Sequence, residues 1–329
     1  MNMTKIRQVS ELYRRTRRWF SAHRFLEVRT NAFGAVSGFD GYVRPFSAEY
    51  APPHGSGRRL FLRTSPELEM KKLMFAGAGR IFQIARSFRN AEHDPAHRPE
   101  FDMLEWYSSG SRYRDAMRQA EDLLARAAGC GRIVFRNRRI RFGRRFERIR
   151  VKDLFREKTG IDLSSVQNRD EFLEAARGAG AGHIRKSASW DTIFFVLFLD
   201  KIEPELARME RPVILYDYPV QVASLAREVP CDTAFVERFE VCVCGLELCN
   251  GYSELTKRAD HEERLKMVNG QRKQEGFEPL SIPADFLGSL PAGGMEMSGV
   301  ALGMDRLAMI VTGSYDISGV IPFNPFSVT

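Results

Sequence analysis

The stretch RSFRNAEHDPAHRPEFDMLEWY, residues 86–107, decides the fold of this chain. Arginines precede a charged, proline-containing loop, and apolar residues placed among carboxylates then resume over 100–107. This pattern predicts an antiparallel hairpin whose strands cover 81–89 and 100–107. A hairpin with Arg89 on one arm and Glu105 on the other can bind an anion and a cation together. The alternative interpretation is a charged sheet edge.

Outward from the hairpin, helices and strands follow one another without strict alternation. Helical spacing of apolar residues predicts helices near 4–23, 68–76, 112–128, 151–158, 169–177, 191–202, 259–274 and 305–312. Thr4 is a candidate cap of the first helix, and Pro204 marks the expected end of the helix at 191–202. Strands are predicted near 25–30, 60–63, 213–216, 238–248 and 298–301, with further basic strands inside 132–150. This order favours an α+β fold, an antiparallel β-sheet flanked by helices, over a doubly wound fold.

Composition limits the classes of protein to which the chain can belong. With 329 residues, 43% of them hydrophobic, it can form a large core of one or two domains. No apolar run approaches the roughly 20 residues of a membrane helix, and the N-terminus lacks the apolar segment of a secretory signal. Five cysteines without zinc-finger spacing suit the reducing cytoplasm.

The formal net charge of +8 suits an acidic partner such as nucleic acid or an acidic protein. Much of the excess lies in RIVFRNRRIRFGRRFERIR, residues 132–150, where arginines alternate with apolar residues. A partner-binding face and a solvated sheet face explain this stretch equally well.

Three glutamates, Glu240, Glu247 and Glu254, stand seven residues apart among apolar neighbours. Buried carboxylates need a metal ion or another cation, although charges at strand ends are the simpler explanation of the spacing. Near the end of the chain, GVALGMDR places Arg306 close to Gly303 at a predicted strand-to-helix junction, where backbone and guanidinium can bind a phosphate.

Three of these stretches together resemble one enzyme class. FLEVRT (25–30), SFRNAE with PEF and EWY (87–107) and GVALGMDR (299–306) resemble motifs 1, 2 and 3 of the class II aminoacyl-tRNA synthetases. TSPELEMK, RFEV and LCNGYSEL resemble the lysine-specific branch, and the resemblance runs from about residue 5 to 325. Without the N-terminal anticodon-binding barrel of lysyl-tRNA synthetases, the chain is most similar to the elongation factor P–lysine ligases, and Ala301 fits that branch.

The resemblance implies a class II synthetase catalytic domain over 1–329, with a candidate insertion at about 129–185, that forms a homodimer. It also implies that lysine or (R)-β-lysine reacts with ATP to give an adenylate and pyrophosphate, with Mg²⁺ as cofactor. The activated residue then passes to a lysine side chain of elongation factor P, an acidic protein. Two alternatives remain open: a truncated lysyl-tRNA synthetase that charges tRNA, and a non-catalytic paralogue that binds lysine or adenylate.

Residue roles are likewise implied by the resemblance. Arg89 would bind the α-phosphate and Arg306 the γ-phosphate, as the two catalytic residues. The metal would be bound by Glu240 and Glu247. The implied ATP-binding residues are Arg89, Asn90, Glu92, Glu247, Leu248, Gly303 and Arg306. The implied amino-acid-binding residues are Ser65, Glu67, Glu105, Tyr107, Asn250, Glu254 and Ala301.

Some residues depart from the family pattern or lie outside it. Ala91 stands where motif 2 has a glutamate that contacts adenine, Arg98 replaces an asparagine, and Asn31 replaces the proline of motif 1. These departures leave the ATP contacts and the dimer interface as open points. His261, together with His23, His54 and His183, is expected at the surface.

Overall fold

The computed structural model describes residues 2–36, 38, 43–129, 131–143, 145–222, 225–274, 279, 283–321 and 323, with the backbone alone at 271 and 274. Its helices are α1 (Met3–Ala22), α2 (Glu67–Phe75), α3 (Tyr113–Ala128), α4 (Val151–Thr159), α5 (Arg169–Gly178), α6 (Trp190–Leu197), α7 (Glu203–Arg208), α8 (Arg258–Gln274), α9 (Ala284–Ser289) and α10 (Met304–Thr312). Within this part of the chain, no helix has the length and apolar character needed to cross a bilayer.

The strands form one large sheet and two small ones. They are β1 (Leu26–Glu27), β2 (Phe33–Gly34), β3 (Ser47–Tyr50), β4 (Arg58–Leu62), β5 (Arg80–Phe88), β6 (Glu100–Ser109), β7 (Gly131–Phe135), β8 (Arg138–Phe142), β9 (Glu147–Arg150), β10 (Val213–Pro219), β11 (Glu228–Val229), β12 (Asp232–Val243), β13 (Leu246–Ser253) and β14 (Met297–Gly303). The large sheet has the order β1-β5-β6-β14-β13-β12-β10-β9, and β11 pairs with β12. A three-stranded sheet, β2-β4-β3, and the two-stranded ribbon β7-β8 lie beside it.

The predicted antiparallel sheet flanked by helices is confirmed. Pairing is antiparallel from β5 through β10, and only the outer pairs β1–β5 and β9–β10 are parallel. The β5–β6 hairpin is the predicted one, with Phe88 paired to Glu100 beside the loop.

Two hydrophobic clusters hold the layers together. One packs α1, α3 and α10 against the central strands and includes Phe20, Trp106 and Met309. The other packs α4, α5 and α6 near β10 and β12 and includes Phe155 and Phe194. Fully burying a side chain of this size contributes about 1.5–3 kcal/mol, so both clusters fix how the sheet lies against its helices.

Two predicted elements end differently in the structure. The single strand expected over 238–248 is the β12–β13 hairpin, whose two-residue turn has φ 48 at Cys244 and φ 75 at Gly245. Positive φ at both turn residues matches the right-handed twist of the adjoining strands. The helix expected to end at Pro204 continues through a π-helical segment, Phe198–Ile202, into α7. Pro204 lies in the first turn of α7, where a helix needs no N–H from it.

The start of the first helix and the length of the strand after it also differ from the prediction. The helix is capped by Asn2 rather than Thr4, because the Asn2 side chain accepts hydrogen bonds from the backbone N–H groups of Thr4 at 3.0 Å and Lys5 at 3.2 Å. An asparagine at this position satisfies N–H groups that have no partner within the helix. The strand expected over 25–30 is reduced to β1, and both of its residues are exposed.

Candidate active site

The open face of the central sheet carries a cleft with a cavity volume of about 450 Å³. In β6, Leu104 and Trp106 point into the cluster formed with α1, α3 and α10. The alternate residues Met103, Glu105 and Tyr107 line the cleft. Period-two alternation therefore separates the core face of the sheet from the face that carries the polar groups.

Strand register places the predicted residues in rows across this face. Directly opposed residues of neighbouring strands share a face of the sheet. The first row is Glu105, Ala301, Asn250 and Glu240. The second row is Tyr107, Gly299, Tyr252 and Arg238.

Gly299 is required by a close approach between side chains. A Cβ atom at this position would lie 2.1 Å from Glu254 Oε1 and 2.4 Å from Tyr107 Cε1. Since real contacts are never this short, only glycine allows Glu254 and Tyr107 to meet over β14.

At one end of the cleft, a fully buried ammonium group holds two carboxylates. Lys71 Nζ lies 2.5 Å from Glu67 Oε1 and 2.5 Å from Glu254 Oε2. Burial by itself would lower the pKa of Lys71, but Glu254 and Glu67 raise it above its usual value. Burial raises the pKa of Glu254 to about 8 even though Lys71 opposes the shift. Lys71 therefore stays charged and keeps both glutamates in place.

A third carboxylate, Glu105, completes this acidic end, which we define as Glu67, Glu105 and Glu254 around Lys71. Tyr107 donates a hydrogen bond to Glu105 Oε2 at 2.9 Å. Burial, and then the charge of Glu67, raise the pKa of Glu105 to about 8. When Glu105 and Glu254 are both ionised, three carboxylates face one ammonium group, and a ligand with two positive charges would balance them.

Sequence analysis missed Lys71 of the acidic end and His261 of the cleft lining. Lys71 was not singled out, although its place four residues after Glu67 on α2 is the spacing of helical ion pairs. His261 was expected at the surface, and this is wrong: it is 1% exposed and donates from Nε2 to the Leu255 carbonyl at 2.8 Å. Burial, with Lys71 nearby, lowers the pKa of His261 to about 4, so it is neutral.

The other end of the cleft carries Arg89 and Arg306. Arg306 Nη1 donates to the carbonyl of Glu247 at 2.9 Å. The Arg89 guanidinium lies 5.3 Å from the centre of the Phe101 ring and 3.7 Å from Glu92. One guanidinium group follows the end of β5 and the other lies in the first turn of α10, and together they give this arginine end the charge and planar donors suited to phosphate.

The carboxylates expected to bind a metal differ in their availability. Glu240 accepts hydrogen bonds from Tyr218 at 2.6 Å and from Arg238 at 2.7 Å, whereas the Glu247 side chain is 39% exposed. Burial, and then the charge of Glu247, raise the pKa of Glu240. No described group of three or more His, Cys, Asp or Glu side chains could hold a metal ion. Glu247 is the available carboxylate of the two, because it lines the cleft while both oxygens of Glu240 accept hydrogen bonds. One carboxylate is enough for an ion such as Mg²⁺, which takes one or two and completes its shell with phosphate oxygens and water.

Most of the residues predicted from sequence meet in the cleft. Its lining includes Ser65, Glu67, Arg89, Glu92, Glu105, Tyr107, Glu247, Leu248, Asn250, Glu254, Ala301, Gly303 and Arg306. Two predicted residues lie outside the lining: Glu240, and Asn90, whose backbone N–H bonds to the Arg44 carbonyl at 2.7 Å. Of the departures, Arg98 lines the cleft and is 5% exposed, whereas Ala91 has φ 66, a conformation unusual for alanine.

Comparison with known proteins agrees with this geometry. Residues 2–326 match the family of class II tRNA synthetases of the D, K and N type. The chain is 35% identical over 315 residues to the elongation factor P–(R)-β-lysine ligase of Haemophilus influenzae, covering 95% of this chain and 93% of the relative. It is also 35% identical over 309 residues to the ligase of the same name from Erwinia tasmaniensis, covering 93% of this chain and 90% of the relative. The chain therefore belongs to the class II tRNA synthetase family of the D, K and N type.

Proposed function

We propose that this protein is an ATP-dependent ligase that activates lysine or (R)-β-lysine and transfers it to a lysine side chain of elongation factor P. The relatives from Haemophilus influenzae and Erwinia tasmaniensis carry this activity in their names. The observation that carries the proposal is a single cleft with a buried acidic end and an arginine end on the same sheet face.

The acidic end supports a substrate with two ammonium groups. Fully ionised, Glu67, Glu105 and Glu254 carry three negative charges against the one positive charge of Lys71, which leaves two. Lysine and (R)-β-lysine each carry two ammonium groups and lose the negative charge of their carboxylate on activation. Glu254 and Glu105 are the proposed partners of these ammonium groups, and Ser65, Tyr107 and Asn250 line the remaining space.

The arginine end supports adenylation. A carboxylate oxygen of the substrate attacks the α-phosphorus of ATP, the bond to the β-phosphate bridging oxygen breaks, and pyrophosphate leaves with the electron pair. Because both reactants are anions, Arg89 at the α-phosphate and Arg306 at the γ-phosphate would reduce their repulsion. Asn90, Glu92, Leu248 and Gly303 are proposed to bind the nucleotide.

Magnesium belongs to the same proposal. Glu247 and Glu240 would hold Mg²⁺, which supplies positive charge to the phosphate oxygens when it is bound.

The second reaction transfers the activated residue to the acceptor. The acceptor amine attacks the acyl carbonyl, AMP leaves, and the amine loses a proton to give an amide. No proton has to be removed in the adenylation itself.

Ala301 is the proposed contact that distinguishes the lysine isomers. Its methyl group lies between Glu105 and Asn250 in the first row of the sheet. A methyl group changes discrimination by only about 1–3 kcal/mol, so both isomers must be tested.

We also propose that the protein is a cytoplasmic homodimer. Support for the cytoplasm is chemical: the reaction uses ATP, and Cys231, Cys242, Cys244 and Cys249 are free thiols. Support for the dimer is the resemblance of its motif 1 to that of the dimeric synthetases.

The decisive experiment offers both acceptors at once. The purified protein is incubated with ATP, Mg²⁺ and either lysine or (R)-β-lysine, in the presence of the host's elongation factor P and its lysine tRNA. Intact-mass analysis should show a lysyl increment on the protein, none on the tRNA, and a preferred isomer. Charged tRNA with unmodified protein would instead indicate a tRNA synthetase. No increment and no released pyrophosphate would indicate a paralogue that binds without catalysis.

A further inference from the structure

The loop between β5 and β6 holds a carboxylate against an imidazole. His97 Nδ1 lies 2.9 Å from Asp94 Oδ1 and 2.8 Å from Asp94 Oδ2. Asp94 Oδ1 also accepts the backbone N–H of Ala96 at 2.7 Å, which closes the turn. Although partial burial opposes it, these hydrogen bonds hold the pKa of Asp94 below its usual value. Asp94 is therefore an anion that faces His97.

The far side of the same imidazole contacts the arginine end of the cleft. His97 Nε2 is in hydrogen-bond contact with Arg306 Nη2. A guanidinium can only donate, so His97 Nε2 must accept and carries no proton. The proton of the neutral imidazole then lies on Nδ1, where it is donated to Asp94. One tautomer satisfies both contacts, and the carboxylate selects it.

This chain of contacts fixes Arg306 from two sides. Nη2 is held by His97, and Nη1 is held by the Glu247 carbonyl at 2.9 Å. The loop itself is anchored, because Ile317 donates its N–H to the Pro95 carbonyl at 2.8 Å. The guanidinium plane is thus set before any ligand enters the cleft.

We propose that Asp94 is a positioning residue, which acts through His97 to hold Arg306 in the orientation that meets the pyrophosphate leaving group. The inference rests on the proposed function, since it assigns the role of Arg306 to adenylation. No proton moves in this role: His97 stays neutral while the bond between the α-phosphorus and its bridging oxygen breaks. The contribution is pre-organisation of a donor where negative charge develops.

The variant Asp94→Asn separates orientation from folding. Its side-chain oxygen can still accept the N–H of Ala96 and keep the turn. Its amide N–H groups, however, favour an unprotonated His97 Nδ1, which moves the imidazole proton to Nε2, against the donors of Arg306. The matched control is Asp162→Asn, because Asp162 closes a similar turn by accepting the N–H of Ser164 at 2.9 Å. Asp162 is not among the residues that line the cleft.

The test has two readouts on the full-length protein. Proton–nitrogen correlation spectra with isotope-labelled histidine, assigned with His97→Asn, should show the proton of His97 on Nδ1 in the wild type and on Nε2 in Asp94→Asn. In ATP–pyrophosphate exchange, Asp94→Asn should lower kcat roughly 10- to 100-fold, by analogy with the loss of hydrogen-bond partners that orient metal-binding side chains. The KM for lysine and the Tm should stay unchanged, Asp94→Glu should restore part of the rate, and Asp162→Asn should match the wild type.

The inference would be overturned by a wild-type His97 protonated on Nε2 or by normal exchange by Asp94→Asn. A rise in the KM for lysine together with a lower Tm would equally contradict it, because that pattern marks a structural loss. A wild type that catalyses no exchange would overturn the proposed function and the leaving-group role with it. The histidine spectra would then still decide whether Asp94 sets the tautomer.

Discussion

At the scale of single residues, Lys71 supplies the positive charge that lets the carboxylates of the acidic end lie close together. It is fully buried, and its ammonium group contacts Glu67 and Glu254 at 2.5 Å each. Removing one partner of a buried ion pair leaves an uncompensated charge, which costs far more than loss of a surface pair. The neighbouring Lys72 provides the contrast, because it pairs at 2.7 Å with Asp285, whose side chain is 66% exposed.

We therefore expect Lys71→Met, which keeps the length of the side chain, to lower the free energy of unfolding by about 3–5 kcal/mol. Lys72→Met should lower it by no more than about 1 kcal/mol. Urea unfolding followed by circular dichroism measures both, and calorimetry should show lysine binding lost only in Lys71→Met. Equal effects of the two variants would show that Lys71 does not hold the carboxylates.

At the scale of elements, one aspartate joins the helix that carries Arg306 to the central hairpin. Asp305 Oδ2, in the first turn of α10, accepts the backbone N–H of Asp102 in β6 at 2.8 Å. Tyr13 of α1 donates to the Asp102 side chain at 2.6 Å. Burial raises the pKa of Asp305 to about 6, yet the carboxylate keeps this contact. The position of Arg306 thus depends on three elements meeting at Asp102.

Asp305→Ala should lower the free energy of unfolding by about 1–3 kcal/mol, since it leaves the partly buried Asp102 N–H without this acceptor. It should also slow ATP–pyrophosphate exchange, because the start of α10 is no longer fixed to β6. Asp285→Ala is the control: it changes an exposed aspartate in the first turn of α9. The prediction is wrong if both variants unfold at the same urea concentration and exchange at the wild-type rate.

At the scale of the whole molecule, the buried carboxylates link stability to pH. In the folded protein the pKa of Glu105 and of Glu254 is raised to about 8 from an ordinary value of 4.5. Between these values the native state binds more protons than the unfolded chain, so the free energy of unfolding falls as pH rises. Two added positive charges from a substrate would oppose this loss.

We expect the Tm of the substrate-free protein to fall by several degrees between about pH 5 and pH 8.5. Glu105→Gln should flatten the slope, because one proton-binding group is gone. Glu100→Gln, which changes a half-exposed glutamate of the same strand, should keep the wild-type slope. Scanning calorimetry across this pH range measures these slopes. Parallel plots of Tm against pH for the wild type and Glu105→Gln would contradict the assignment of Glu105 as a group that binds a proton in the folded state.

Much of the fold and the cleft could be predicted, because the signals are local. The hairpin was predicted with Arg89 on one arm and Glu105 on the other, and the structure places Glu105 in the cleft together with Tyr107. The turn at Cys244 was missed because its apolar neighbours continue the strand pattern on both sides. His261 was missed because the apolar cover provided by Phe286 comes from a distant part of the chain.

The sequence by itself determined the hairpin, the antiparallel sheet and the residue types that meet in the cleft. These follow from side-chain period and from motifs of a few residues, which are local properties of the chain. Only the tertiary structure decided that Lys71 contacts Glu254, that Glu240 is hydrogen-bonded to Tyr218, and that His97 contacts both Asp94 and Arg306. Such contacts depend on which groups the folded chain brings within about 3 Å of each other. In a site built from charged groups, that distance decides which charges are paired and which stay available for a substrate.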